Sequence, residues 1–206
     1  MLIRSSEGTR DFFQDKLGFY EFAQSIAEQV TPEEYLLMDS NYDSPDIVAW
    51  FGYSQDSAEG SETKPTQPEI LDFEVFLNIG MFQHLLDTPQ LMNEIQQVVI
   101  RHEAAEMWHL AYLKMLGEYE DFGDAGNSPA HKIALKEEWQ LAYELGCQDE
   151  YLHTISKWAE IICKSYGFAV ACQFWYENLN EYFILRSNGA EENVPGERFE
   201  LSTSGL

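Results

Sequence analysis

Basic residues are scarce in this chain: 12 Lys and Arg stand against 36 Asp and Glu in 206 residues, a formal net charge of −24. Such a charge repels phosphate, which argues against direct nucleic-acid binding or attachment to an anionic membrane. Long apolar runs are missing too, since no stretch approaches the roughly 20 residues that span a bilayer. Met1-Leu2-Ile3-Arg4 is not expected to open a signal peptide. The only cysteines are Cys147, Cys163 and Cys172, an odd and widely spaced set. They supply neither a disulfide framework nor a Cys-x-x-Cys metal site, and suggest reduced thiols in a cytoplasmic protein. Gly-rich phosphate loops, dinucleotide fingerprints and nucleophile elbows are likewise absent.

What is present is material for a helical core. Hydrophobic residues make up 45% and aromatics 14%, enough for a globular domain rather than a disordered one. Helix starts recur as Thr31-Pro32-Glu33-Glu34, Thr88-Pro89 and Ser128-Pro129, each with a hydroxyl N-cap before proline. Gly117, Gly146, Gly167 and Gly189 stand where helices should end. These signals predict helices near 7–29, 32–39, 68–86, 89–116, 129–145, 148–166 and 168–187. Residues 47–51, Ile-Val-Ala-Trp-Phe, read as a short strand or buried extended segment. The expected fold is all-α. An antiparallel bundle of four main helices over 68–187 follows a helical N-terminal portion, residues 1–53, and a polar loop, residues 54–67. Residues 188–206 are expected to form a flexible tail.

The helix at 89–116 carries the main chemical signal. At about 100° per residue, Leu91, Ile95, Val98, His102, Glu106, His109 and Leu113 share one stripe. His102, Glu106 and His109 therefore fall at the centre of a face that should be buried. A buried carboxylate is costly unless charges, hydrogen bonds or a metal compensate it. The Glu-x-x-His spacing of Glu106 and His109 aims two ligands at one point from adjacent turns. His102 adds an imidazole on the same ridge.

Neighbouring segments offer more such groups. His84 shares a stripe with Ile70, Phe73, Leu77 and Met81, with Glu74 at its edge. Glu138 and His131 share a face with Ala134, Leu135 and Ala142, and Glu177 and Glu181 lie beside Val170, Phe174 and Ile184. The expected metal ligands are therefore Glu106, His109, Glu74, Glu138, Glu177, Glu181 and His84, and the expected catalytic groups are His102, Glu106 and His109. Carboxylate and imidazole donors suit iron, with manganese and zinc as alternatives. Glu150-Tyr151-Leu152-His153 also has the Glu-x-x-His letters. There, however, His153 shares its side with Asp149, Lys157 and Glu160, so it is read as solvent-facing and not counted.

Over about residues 68–187 this pattern resembles the ferritin-like di-iron carboxylate proteins. The resemblance implies a metal pair in the bundle core that reacts with oxygen, hence an oxygen-dependent oxidoreductase with a small-molecule substrate. The second inward Glu-x-x-His of that family has no counterpart on the last helix.

Two other expectations compete with this one. His102, Glu106 and His109 would also suit a buried hydrogen-bond network with Arg101 or Tyr112. The charge of −24 would also suit a non-enzymatic inhibitor, immunity protein or nucleic-acid mimic that binds a basic protein partner. Aromatics at 166–183 are expected mainly in the core, and any exposed part could anchor such an interaction.

Overall fold

The computed structural model describes residues 2–4, 20, 49–55, 68, 70–118 and 128–192. Over these residues the protein is mostly helical. Apart from Tyr20, the helices expected at 7–29 and 32–39, the loop at 54–67 beyond Gln55 and the tail beyond Glu192 lie outside the described residues.

Three strands, β1 (Leu2–Arg4), β2 (Ala49–Gln55) and β3 (Ile70–Leu77), form an antiparallel sheet in the order β1-β3-β2. Phe51 pairs with Val75 and Tyr53 with Phe73 on one side of β3, and Leu2 pairs with Phe76 on the other. This corrects the helix expected from residue 68: the segment is a strand as far as Leu77, and a helix begins only afterwards. Val75, Phe76 and Leu77 are all buried, so the apolar run has no solvent face of the kind an amphipathic helix keeps. A central strand buried on both faces accepts such a run, and β-branched and aromatic residues favour it. The stripe Ile70, Phe73, Leu77 fitted a helical period only because short apolar runs fit both periods.

Asn78 then caps a short helix, α1 (Ile79–Leu85), its Oδ1 accepting from the Met81 amide at 3.0 Å. A 3-10 turn, Pro89–Leu91, leads into the long α2 (Met92–Leu116). Glu150 holds this entry, accepting from the Asp87 and Thr88 amides and the Thr88 hydroxyl at 2.8–2.9 Å. Gly117 ends α2 in the left-handed conformation (φ 72°), as its position as a C-cap predicts.

Ser128 caps α3 (Pro129–Glu144), its Oγ accepting from the Ala130 amide. Then follow α4 (Gln148–Tyr166) and α5 (Phe168–Glu192), which runs through Gly189 rather than stopping there. Helix α2 packs on α3 and on strands β2 and β3, and α5 packs on α4 and α3. Gln55 Nε2 donates to the Ala111 carbonyl at 2.9 Å and pins β2 to α2. Ile95, Val98, Ile100, Ala104, Met107 and Ala111 are buried around much of α2, because sheet and helix cover it from different sides. No helix among the described residues is long and apolar enough to cross a membrane.

Candidate metal centre

Helices α2 and α3 run antiparallel, so residues rising along one meet residues falling along the other. His102 faces Glu138, its Nδ1 at 2.6 Å from Glu138 Oε2. One turn further along α2, Glu106 faces His131, whose Nδ1 lies 3.4 Å from Glu106 Oε2. The other nitrogen of His102, Nε2, lies 3.5 Å from the same oxygen. The rings of His102 and His131 meet edge to face, with centroids 4.9 Å apart. One oxygen of Glu106 is thus approached by two imidazole nitrogens from two helices. His102, Glu106 and His131 each offer a ligand atom within 4.8 Å of the others.

These separations are informative. The 2.6 Å contact is a short, charge-assisted hydrogen bond. The 3.4 and 3.5 Å contacts are long for hydrogen bonds, but donors bound tetrahedrally to one ion at about 2.1 Å lie roughly 3.4 Å apart. Glu138, on the far nitrogen of His102, fixes that ring's orientation, as a carboxylate does in a carboxylate–histidine–metal arrangement.

Glu103, Glu106 and Glu138 are all buried. The ion pairs of Glu106 and Glu138 run to His102 and His131. Arg101 turns away, to Glu137 at 3.7 Å and to the Tyr20 ring at 4.7 Å. Tyr112 stacks on Trp108. With Glu103 raised by burial to about 8, Glu106 and Glu138 are the two carboxylates that face His102 and His131 near neutral pH. Glu106 Oε1 is buried with no hydrogen-bond partner among the described residues, a costly condition that a cation would relieve.

Burial opposes charging of His102, but the Glu138 charge and the hydrogen bonds with Glu106 and Glu138 outweigh it and hold its pKa well above the usual value. Burial would raise Glu106, but its hydrogen bonds with His102 and His131 prevail and lower it to about 2. Glu103 lacks comparable hydrogen bonds, and burial pushes it up to about 8, with Glu106 and Glu138 adding to the effect against His102. Tyr151, hydrogen-bonded to Glu138, is raised well above its usual value, chiefly by burial.

A cavity of about 50 Å³ adjoins the cluster. His102 and Glu103 of α2, His131 and Glu138 of α3, Tyr151 and Trp158 of α4, and Phe174 and Asn178 of α5 contribute to its wall. It has room for one or two small molecules of the size of water or dioxygen.

Of the residues expected at the site, the structure brings together His102, Glu106 and Glu138. His109 is half-buried and lies edge-on to Trp108, with ring centroids 5.2 Å apart. In the antiparallel register that sets His102 against Glu138 and Glu106 against His131, the level of His109 coincides with the N-terminal end of α3. Glu74 sits on β3, in register with Arg4 and Gly52, and not on a helix. His84 is exposed in the last turn of α1. Glu177 and Glu181 are half-buried on α5, Glu177 accepting from Gln173. None of these five lines the cavity.

His131 and Glu103 are the members that sequence reasoning did not select. His131 was visible on the same helical face as Glu138, a signal that would have paired the two. Glu103 gave no such signal, because it lies a full 100° around the helix from His102, on the wall of the cavity that α3, α4 and α5 complete. His153 is exposed and paired with Asp87, as its sequence neighbours predict.

No protein-family model, curated protein or solved structure matches this chain.

Proposed function

We propose that His102, His131 and Glu106 bind a single divalent metal ion, and that the protein is a non-haem iron oxidoreductase acting on a small molecule with oxygen. The convergence of His102 Nε2, His131 Nδ1 and Glu106 Oε2 from two helices carries this assignment. Two histidines and one carboxylate form the donor set of mononuclear non-haem iron oxygenases, which leave coordination positions open. Here the adjoining cavity would receive oxygen. Glu138 would act behind His102 as an orienting group, leaving Nε2 for the metal. Glu103, a carboxyl whose pKa burial raises, lines the same cavity. The same assignment takes α2–α5 as the helical bundle around the centre. One metal per chain, rather than the expected pair, follows from the three-donor group.

The test is metal analysis of protein purified without chelators, then anaerobic Fe(II) titration of the apo-protein. The expected result is about one ion per chain, lost in His131→Ala and Glu106→Ala variants that still fold. If the wild-type protein holds neither iron, manganese nor zinc and takes up none in titration, His102, Glu106, His131 and Glu138 are a structural ion-pair network.

A further inference from the structure

Among the described residues, seven of the eight exposed large hydrophobic side chains fall within residues 166–184. Most lie on α5. At about 100° per residue, Phe168, Cys172, Trp175, Tyr176, Leu179 and Phe183 share an arc of about 100°. No charged residue interrupts it between 168 and 183, although the chain carries −24 overall. Phe168 is 77% exposed, Tyr176 69%, Phe183 53% and Trp175 39%. Trp175 is also held in place, its Nε1 donating to Ser156 Oγ at 3.1 Å. A monomer rarely leaves so continuous an apolar stripe in water.

The order of residues along the stripe suits a second copy of the same chain. Phe168 and Phe183 are equidistant from a midpoint between Trp175 and Tyr176, and so are Cys172 and Leu179. Two identical helices crossing antiparallel about that midpoint would place Phe168 on Phe183, Cys172 on Leu179, and Trp175 beside Tyr176. A two-fold interface requires this kind of self-complementarity, whereas a foreign partner does not. At 150–250 Å² for each large side chain, the exposed fractions of Phe168, Trp175, Tyr176 and Phe183 amount to roughly 360–600 Å². That is about half to three-quarters of the roughly 800 Å² per partner in a standard interface.

We propose that α5 is a homodimer interface, with a two-fold axis passing between Trp175 and Tyr176 of each protomer. Outside the stripe the two acidic protomers repel, so association strengthens as salt screens them. The interface is independent of the metal centre.

Sedimentation velocity and light scattering on the full chain, over a concentration series at low and high salt, test this. The expected result is a reversible dimer that tightens with salt. In Phe168→Glu/Phe183→Glu its dissociation constant should rise by at least about 100-fold, with the wild-type circular dichroism spectrum retained. A second variant works without removing the aromatics. Leu179→Cys should cross-link through Cys172 of a second copy under mild oxidation, and adding Cys172→Ser should abolish the link. Residues 172 and 179 of one helix stand two turns apart and cannot bridge each other. A monomer at every concentration and salt overturns the proposal. If Cys172 of that monomer resists alkylation, another part of the same chain covers the stripe; if it reacts, the stripe is free. A dimer that survives the Glu substitutions and leaves Leu179→Cys unlinked also overturns it.

Discussion

Replacing Glu138 by Gln separates a metal centre from a self-sufficient ion-pair network. The amide keeps the shape of the carboxylate, so packing in the buried α2–α3 seam is conserved. Two things change. The 2.6 Å contact with His102 Nδ1 is no longer charge-assisted. The amide nitrogen can also donate to Nδ1, which moves the imidazole proton to Nε2, the atom required by the metal. Loss of an orienting carboxylate of this kind lowers metal affinity about 10–100-fold, or about 1.4–2.8 kcal/mol. Anaerobic Fe(II) titration followed by calorimetry reads this directly. Thermal melts provide a second readout, because ligand at 100 times Kd stabilises the native state by about 2.7 kcal/mol. At a fixed metal concentration, Glu138→Gln should therefore lose much of the metal-induced rise in Tm. In a metal-free network, the variant instead removes the charge that holds His102 protonated and should destabilise the apo-protein by about 1.5–3 kcal/mol, with no effect of metal on Tm. Metal affinity equal to wild type would refute the role given to Glu138, and an Fe(II)-insensitive Tm in both proteins would refute the centre itself.

Other outcomes follow from the same contacts. Burial raises the Glu150 pKa, but its hydrogen bonds with Thr88 and Asp87 outweigh that and lower it. Its contribution is thus present above the ordinary value of 4.5 and lost as pH falls through the lowered one. Glu150→Gln should cost about 1 kcal/mol near neutrality and flatten the acid limb of the urea-unfolding profile; an unchanged acid limb counts against this. Burial raises the Cys147 thiol to about 11, so at pH 8 it should resist a disulfide-exchange reagent until the protein unfolds, whereas Cys163 reacts in the native state. Trp139 is fully buried, with its ring edge-on to Tyr151 and Tyr182 at 4.9 and 5.3 Å. Trp139→Ala should cost about 3–5 kcal/mol in denaturant unfolding, a large share of a domain's total stability.

The helices after residue 88 were legible because their signals are local. Ser128 before Pro129 caps α3, Gly117 ends α2, and the stripe of α4 separates buried Tyr151 and Ile155 from exposed His153. Each depends on a few neighbouring residues and on steric limits that hold in any fold. Residues 70–77 were not legible, since Ile70, Phe73 and Leu77 suit either period and only pairing with β1 and β2 decides between them. The aromatics of α5 were expected in the core. Phe168, Tyr176 and Phe183 are instead exposed, and the core side is taken by Ala171, Asn178 and Tyr182.

At the site, the sequence alone determined that His102 and Glu106 share a helical ridge, because four residues make about one turn. It also determined that a carboxylate on that ridge would need compensation, since burying charge is costly in any setting. Only the tertiary structure decided which groups compensate it. His109 lies nearer in sequence, but the antiparallel register of α2 and α3 sets His131 and Glu138 against Glu106 and His102. Periodicity fixes the direction of a side chain around its own axis. The partner it meets depends on the offset between two helices, and that offset comes from the packing of every residue along both.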